Sequence, residues 1–557
     1  MIPASIPFAS DVVAWDAMTI PRTLTRAAAL WPDASALEDE SETKKFSFAE
    51  LACAAENAAR GFMAAGIERG DRVAIWAPNG WRWVVAALGL QSAGAILVTL
   101  NTRFKASEAR HVLEKSEARL LCTVGDFLGT DYADSIANQN LPGLDGIVSL
   151  GGESLSAVDW DEFVSRGESV TPAQARARAD EVLPEDLSDF LFTSGTTGAP
   201  KAVMTAHGQN LKVFDIWGKN VGLVAGDRYL IVAPFFHSFG YKAGWLACLI
   251  HGATALPHAV FDAGAVLQRI QDEKITVLPG PPAIYQSLLT FAGRDRFDTS
   301  SLRLAVTGAA PTPVELVHRM RDELGFRSVI KAYGLTESCG TVTACKQDDD
   351  PERIANSDGC ALPDTEVICV GTDGKEMPRG EPGEVWVRGY NVMRGYFKDE
   401  AETAKAIDRD GWLHTGDIGV MDRQGYLKIT DRIKDMFIMG GFNVYPAEVE
   451  NLLFQHQDIA ASAVIGVPDE RMGEVGMAFV VAVPGSVLDA EAVMAWSREN
   501  MANYKVPRYV EIVDTLPSNA SGKVLKFELR KRAAELLENV FDLFSNYPGE
   551  ISSDENQ

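Results

Sequence analysis

Basic side chains are in short supply. The chain sets 52 Lys and Arg against 77 Asp and Glu, a formal charge of −25 at pH 7 over 557 residues. That balance argues against nucleic acid or an anionic membrane as the principal partner. A few convergent cations can still dominate one pocket, because distant charge is screened by salt. Cysteine is sparse as well: Cys53, Cys122, Cys248, Cys339, Cys345, Cys360 and Cys369 form no C-x-x-C pair and leave an odd number. A reduced, cytoplasmic setting is the simplest expectation, with these thiols as buried small hydrophobes rather than zinc ligands. No apolar run approaches a membrane span, and Met1-Ile2-Pro3-Ala4-Ser5 is not a basic segment followed by an apolar one, so neither an integral membrane segment nor a secretion signal is expected.

A Walker A loop is missing too. The chain does contain Thr193-Ser194-Gly195-Thr196-Thr197-Gly198-Ala199-Pro200-Lys201, in which glycines let backbone N–H groups converge on phosphate oxygens, hydroxyls add donors and the lysine supplies a point charge. The lysine is followed by Ala202, where a Walker A loop has the metal-binding hydroxyl and runs into a helix. Asp189-Phe190-Leu191-Phe192 and Ala202-Val203-Met204-Thr205 flank the loop as apolar alternations, so a loop between two strands is expected. A flexible Ser/Thr/Gly connector is the plainer alternative, and it leaves Lys201 unexplained.

The length predicts two or three folding units. Residues 20–130 alternate helix and strand: a helix from Phe48 to Met63, a strand over Asp71–Trp76, a helix from Trp81 to Ala93 and a strand over Ala95–Leu100. This pattern predicts a largely parallel, helix-covered sheet. Residues 136–186 turn polar and Ala-rich and read as a surface excursion. A helix over 210–220 leads into the strand Tyr229–Ala233, which ends at Pro234-Phe235-Phe236-His237-Ser238-Phe239-Gly240. A histidine just past a strand's carboxyl end is where α/β sheets place ligand contacts, although packing among aromatics is the alternative reading. Phe236, His237, Phe239, Tyr241 and Trp217 suggest an apolar pocket.

Two further strand-then-turn units end in small residues, Ile275–Leu278 before Pro279-Gly280 and Leu304–Thr307 before Gly308-Ala309-Ala310-Pro311, which let a flat ligand approach the backbone. Val329–Ala332 then runs into Tyr333-Gly334-Leu335-Thr336-Glu337. Tyr333 can face a purine, Thr336 can offer a hydroxyl to phosphate and Glu337 an oxygen to Mg²⁺; the Thr-Glu pair can equally start a helix. Residues 383–430 read as short antiparallel strands and turns, and Asp417 can accept from a sugar diol or close an Asx-turn. The charged run Asp431-Arg432-Ile433-Lys434-Asp435 marks a domain boundary. Beyond it a smaller α+β unit ends in a turn bearing Gly522-Lys523, followed by an acidic tail.

The order and spacing of Thr193–Lys201, Tyr333–Glu337, Thr415-Gly416-Asp417, Asp431-Arg432 and Gly522-Lys523 resemble the adenylate-forming superfamily of acyl-CoA synthetases, luciferases and adenylation domains. The likeness is greatest to bacterial fatty-acyl-CoA ligases, especially those acting on the indane-propanoate left by steroid ring breakdown. The resemblance covers nearly the whole chain. It implies an α/β fold with a large N-terminal adenylation domain (1–431) of helix-covered sheets and a distorted antiparallel β-barrel. A hinge (432–435), a small mobile α+β C-terminal domain (436–534) and an acidic tail (535–557) would follow.

The implied reaction is ATP-dependent: a hydrophobic carboxylic acid becomes acyl-AMP with loss of pyrophosphate, and the acyl group passes to coenzyme A, with Mg²⁺ as cofactor. By resemblance, Thr193, Ser194, Gly195, Thr196, Thr197, Gly198 and Lys201 hold the β- and γ-phosphates. The adenine lies against Gly308, Ala309, Ala310, Pro311, Ala332, Tyr333 and Gly334. Thr336 contacts phosphate, Glu337 binds Mg²⁺, and Asp417 and Arg432 hold the ribose. His237 gates a pocket lined by Phe239, Tyr241 and Trp217, Lys434 is the hinge, and Lys523 is the catalytic lysine. Gly440, Gly441 and Phe442 leave room for the pantetheine arm. Ala202 stands where relatives usually carry Gly. Alternatives from other classes are a P-loop ATPase or kinase, disfavoured by Pro200-Lys201-Ala202, and a non-catalytic nucleotide-binding protein on the same fold. Luciferase chemistry and passing the acyl group to a carrier protein are the alternatives within the superfamily. The resemblance also leaves room for a homodimer.

Overall fold

The computed structural model describes residues 13–152, 154–193, 200–308, 312–432, 435–439, 442–469, 472–501, 503–518 and 524–545. The chain divides into two compact units, Met1–Thr415 with Val420–Lys428 and Gly416–Gly419 with Ile429–Gln557.

The first unit is built on an eight-stranded sheet. From one edge its strands run Gly395–Tyr396, Lys201–Ala206, Leu187–Thr193, Ile96–Thr99, Arg72–Trp76, Ala118–Thr123, Gly146–Ser149 and Val158–Asp159. Pairing is parallel from Leu187–Thr193 to Val158–Asp159 and antiparallel at the Lys201–Ala206 and Gly395–Tyr396 end. The central strands Arg72–Trp76 and Ile96–Thr99 are buried almost throughout, as a sheet covered on both sides requires. Both edge strands are only two residues long.

Helix Phe48–Ala64 opens on a capping box between Ser47 and Glu50 and buries Phe48, Leu51, Ala55, Ala58 and Phe62, the spacing of one helical face. It packs closely on helix Trp81–Ser92, where Gly89 lies so near Ala58 that a side chain there would overlap it. The stretch 136–186 departs from the expected surface excursion. Gly146–Ser149 joins the large sheet, and Trp160 and Phe163 are buried, with Phe163 edge-on to Phe62 at 5.0 Å between ring centroids. Its polar, Ala-rich composition hid two aromatic anchors, each of which contributes about 2 kcal/mol by burial.

Two four-stranded sheets adjoin in the same unit. One runs Arg228–Ile231, Thr254–Pro257, Ser35–Asp39 and Lys44–Ser47; the other runs Leu304–Gly308, Ser328–Tyr333, Thr343–Ala344 and Cys360–Ala361. The expected strand over 275–278 is reduced to Val277, which bridges Tyr229 on one side and Leu304 on the other and so links the two sheets. A further sheet holds Thr365–Val370, Pro382–Gly389, Leu413–Met421 and Leu427–Arg432.

The second unit contains a five-stranded sheet of Phe442–Val444, Phe437–Met439, Gly473–Ala482 and Ile459–Asp469, with Tyr509–Ile512 parallel to Gly473–Ala482. Helices Pro446–Leu453, Ala490–Asn500 and Lys526–Ser545 accompany it, and Val449, Phe479, Val493 and Leu529 are among its core residues. Among the described residues no helix is long and apolar enough to cross a membrane.

Candidate active site

The glycine-rich loop joins two antiparallel strands, as its flanks predict. Leu187–Thr193 pairs with Lys201–Ala206 in a register that sets Thr193 opposite Lys201. Ser194, Gly195, Thr196, Thr197 and Gly198 lie outside the described residues. The strand after the loop accepts Gly395–Tyr396 along its free side, pairing Val203 with Tyr396 and Met204 with Gly395. Backbone bonds from Arg394 N–H to the Met204 carbonyl and from Phe397 N–H to the Ala202 carbonyl, both 2.9 Å, extend that junction.

This docking brings four side chains together. The Lys201 ammonium pairs with the Glu402 carboxylate and stands 4.9 Å from the centroid of the Tyr396 ring. Tyr396 donates its hydroxyl to Glu337 Oε1 at 2.9 Å, and the Glu337 carbonyl accepts from Met393 N–H at 2.8 Å. The hydrogen bond from Lys201 holds the Glu402 carboxyl down at about 2, so this carboxylate stays anionic in neutral and mildly acidic solution. Burial, reinforced by the Glu337 charge, raises the Tyr396 phenol far above the usual tyrosine range and keeps it a proton donor.

Glu337 sits in the 3-10 turn Thr336–Ser338, whose Ser338 Oγ accepts from Leu335 N–H at 3.0 Å. The tight return after strand Ser328–Tyr333 needs glycine at 334, because a Cβ there would meet the carbonyl of Gly340. Gly308 stands opposite Ala332 in the parallel pair of Leu304–Gly308 and Ser328–Tyr333, and its missing side chain leaves space for the Ala332 carbonyl. Tyr333 pairs with Thr343. Ala309, Ala310 and Pro311 lie outside the described residues.

His237 follows the strand Arg228–Ile231 and caps the short turn Ser238–Gly240, its Nδ1 accepting Phe239 N–H at 3.3 Å. Burial lowers its pKa to about 4, so the imidazole is neutral at pH 7. Two side chains from the carboxyl ends of parallel strands fix this segment. Asn79 donates to the Ala233 carbonyl at 2.9 Å and accepts Phe235 N–H at 2.7 Å, while Thr99 Oγ1 donates to the Phe236 carbonyl at 2.9 Å. Gly340 lies against Ser238, which places the turn of Glu337 beside that of His237.

The proposed pocket aromatics differ in placement. Phe239 is partly buried against the main core. Tyr241 and Trp217 are fully inside it: the Tyr241 hydroxyl accepts from Gln91 Nε2 at 2.9 Å and its ring stacks on Trp245 at 4.8 Å. Neither Tyr241 nor Trp217 presents an open face in this structure. Asp417 is buried in strand Leu413–Met421 and belongs to the second unit. Arg432 ends strand Leu427–Arg432, and its side chain is outside the described residues, as are Lys434, Gly440, Gly441 and Lys523. Phe442 opens its strand opposite Met439. Ser518 and Val524, on either side of the segment that contains Gly522 and Lys523, form an antiparallel bridge. Sequence reasoning missed Tyr396, Glu402, Asn79 and Thr99, none of which lies in a recognisable motif.

Among the described residues no group of three or more His, Cys, Asp or Glu could enclose a metal. The oxygen donors of Glu337 and Thr336 suit Mg²⁺ all the same, since that ion commonly takes one or two carboxylates and completes its shell with substrate phosphates and water.

The family model described as AMP-binding enzyme matches residues 24–397, and the AMP-binding enzyme C-terminal domain matches 448–523. A 3-[(3aS,4S,7aS)-7a-methyl-1,5-dioxo-octahydro-1H-inden-4-yl]propanoyl:CoA ligase of Mycobacterium tuberculosis is 50% identical over 516 residues, covering 93% of this chain and 99% of its own. The ligase of the same name from Rhodococcus jostii is 49% identical over 519 residues, covering 92% and 98%. Among solved structures, the anthranilate CoA ligase AuaEII in complex with anthranoyl-AMP is 28% identical with a TM-score of 0.85, covering 95% of this chain and 100% of its own. The chain belongs to the AMP-binding enzyme family and is an AMP-forming acyl-CoA synthetase.

Proposed function

We propose that the acid activated by this enzyme is a fused-ring propanoate derived from a steroid nucleus. The observation that carries the reading is the near-half identity, over more than nine-tenths of the chain, to two ligases named for an octahydroindenyl propanoyl thioester. Phe236 and Phe239, the partly buried aromatics on either side of His237, are consistent with a bulky apolar acid.

A carboxylate approaching the α-phosphate of ATP brings two anions together, so the site has to neutralise charge and hold the partners in line. In our reading, Thr193, Lys201 and the loop between them grip the β- and γ-phosphates, and Thr336 donates to phosphate. Glu337 would hold Mg²⁺, which when bound neutralises phosphate charge. Tyr333 and the turn after Gly308 receive the adenine, Asp417 and Arg432 the ribose, and neutral His237 borders the acyl pocket. Lys523 stabilises charge as the carboxylate attacks and pyrophosphate leaves. A movement about Lys434 would then present Gly440, Gly441 and Phe442 to the thiol substrate, whose attack on the mixed anhydride releases AMP.

The test is a panel of the indenyl propanoate, octanoate, ferulate and anthranilate, assayed for AMP and acyl-CoA. The fused-ring acid should exceed every other in kcat/KM by about tenfold or more. A linear or simple aromatic acid at the top of the panel would overturn the substrate assignment.

A further inference from the structure

A charged pair lies in the interior between the phosphate loop's strand and the segment that carries His237. Lys242 Nζ is 2.9 Å from Asp189 Oδ1, and the two side chains are 1% and 0% exposed. The surrounding groups hydrogen-bond to both ions. Lys242 donates to Thr205 Oγ1 at 2.8 Å, and Thr205 in turn donates to Asp189 Oδ1 at 2.7 Å. The other carboxylate oxygen accepts from Ser188 Oγ and Asn210 Nδ2, both at 2.7 Å.

The partners come from two functional segments. Asp189 lies in strand Leu187–Thr193, four residues before Thr193 and so about 13 Å along an extended chain. Thr205 lies on the strand that returns from the loop, and pairs with Asp189 in register. Lys242 lies five residues after His237, in a π-helical turn Tyr241–Leu246 that is broken at Gly244. Turns of this kind occur often at functional sites.

Stability alone is a weak reason for such a pair, because apolar residues of similar volume commonly serve as well or better. An ion pair with fixed hydrogen bonds does what apolar packing does poorly: it specifies one relative placement of two segments. We propose that Asp189 and Lys242 are positioning residues which register the phosphate-loop strands against the His237 segment, so that ATP and carboxylate meet in line. The proposal rests on the reading of these two segments as phosphate and acyl sites.

The test uses the full-length double variant Asp189→Asn with Lys242→Met, which removes both charges and leaves no ion unpaired. Pyrophosphate exchange is measured with ATP and the indenyl propanoate, beside thioester formation from supplied acyl-adenylate and a thermal melt. The expected result is a fall in kcat for exchange of about tenfold or more, with each KM within about twofold of wild type and thioester formation unchanged. Lys242→Arg, which keeps the charge, should restore most of kcat relative to Lys242→Met. A folded double variant with unaltered kcat, or equal loss in both half-reactions, overturns the proposal. If the double variant does not fold, Thr205→Val takes its place, with a fall in exchange kcat of about fivefold expected from removal of one buried bridging hydroxyl; no fall overturns the proposal. Failure of the wild-type enzyme to exchange pyrophosphate with any acid of the panel would instead count against the site reading itself.

Discussion

Tyr396 donates to Glu337 across 2.9 Å, although 59 residues separate them in the chain. The bond holds one oxygen, Oε1, of the carboxylate assigned to Mg²⁺. Tyr396→Phe should therefore raise the Mg²⁺ concentration for half-maximal adenylation about tenfold or more, the worth of one hydrogen bond to a charged group, with little change in KM for the acid. A Mg²⁺ titration of AMP release at saturating ATP measures this, and an unchanged midpoint would remove Tyr396 from the metal site.

Glu402 neutralises Lys201. An anion already seated on the lysine opposes a second one, so Glu402→Gln should lower KM for ATP and tighten inhibition by pyrophosphate. Partly exposed pairs are weak, and an effect of about threefold is expected. A rise in KM would mean that Glu402 aims the lysine rather than competing for it.

Lys523→Ala should suppress pyrophosphate exchange by about a hundredfold or more, since it removes a charge aimed at the developing transition state, while thioester formation from supplied acyl-adenylate continues. Equal loss in both half-reactions would refute this assignment of the lysine.

His237 is held neutral by burial, with a pKa of about 4, so its charge changes only well below physiological pH. The pH profile of kcat/KM for the acid should lack an inflection near the ordinary histidine value of about 6.5. His237→Ala should raise KM for the acid by the same factor at pH 6 and pH 8. A mutational effect confined to pH 6 would show that the protonated ring takes part.

Glu38 pairs with Arg228 at 3.0 Å from two strands away in its sheet, and the guanidinium lowers its carboxyl from 4.5 to about 2. A depressed folded-state pKa stabilises the protein fully above the unfolded value, and that stabilisation is lost as pH falls through the folded one. Glu38→Gln should cost on the order of 2–3 kcal/mol at pH 7, and the gap to wild type should close between pH 5 and pH 2. Urea titrations of both proteins at pH 7 and pH 3 measure it; a gap of equal size at both would exclude the ion pair as its source.

The strands on either side of the phosphate loop were legible because Phe190, Leu191, Ala202 and Val203 form apolar runs broken by glycine and hydroxyl residues. The helix of Phe48, Leu51, Ala55 and Phe62 was legible from its spacing. Glu402 was not: it is one acid among several in Asp399-Glu400-Ala401-Glu402, and its partner lies 201 residues away. Asp189 and Lys242 were hidden for the opposite reason. A single charge inside an apolar run reads as a solvent-facing position, and only the packed structure reveals that each charge is buried beside its counter-ion. Short polar side chains such as Asn79 and Thr99 carry no local sign of which backbone they hold.

The two-residue strand Gly395–Tyr396 has a consequence beyond the active site. It covers the Lys201–Ala206 side of the eight-stranded sheet, and the two-residue Val158–Asp159 closes the opposite side. Strands so short offer little template for pairing with another molecule. Loosening of Gly395–Tyr396 would therefore uncover the outer edge of Lys201–Ala206 around Ala202, Val203 and Met204 at the same moment that it carried Tyr396 away from Glu337, so that loss of the Glu337 contact and exposure of a sheet edge would be one event.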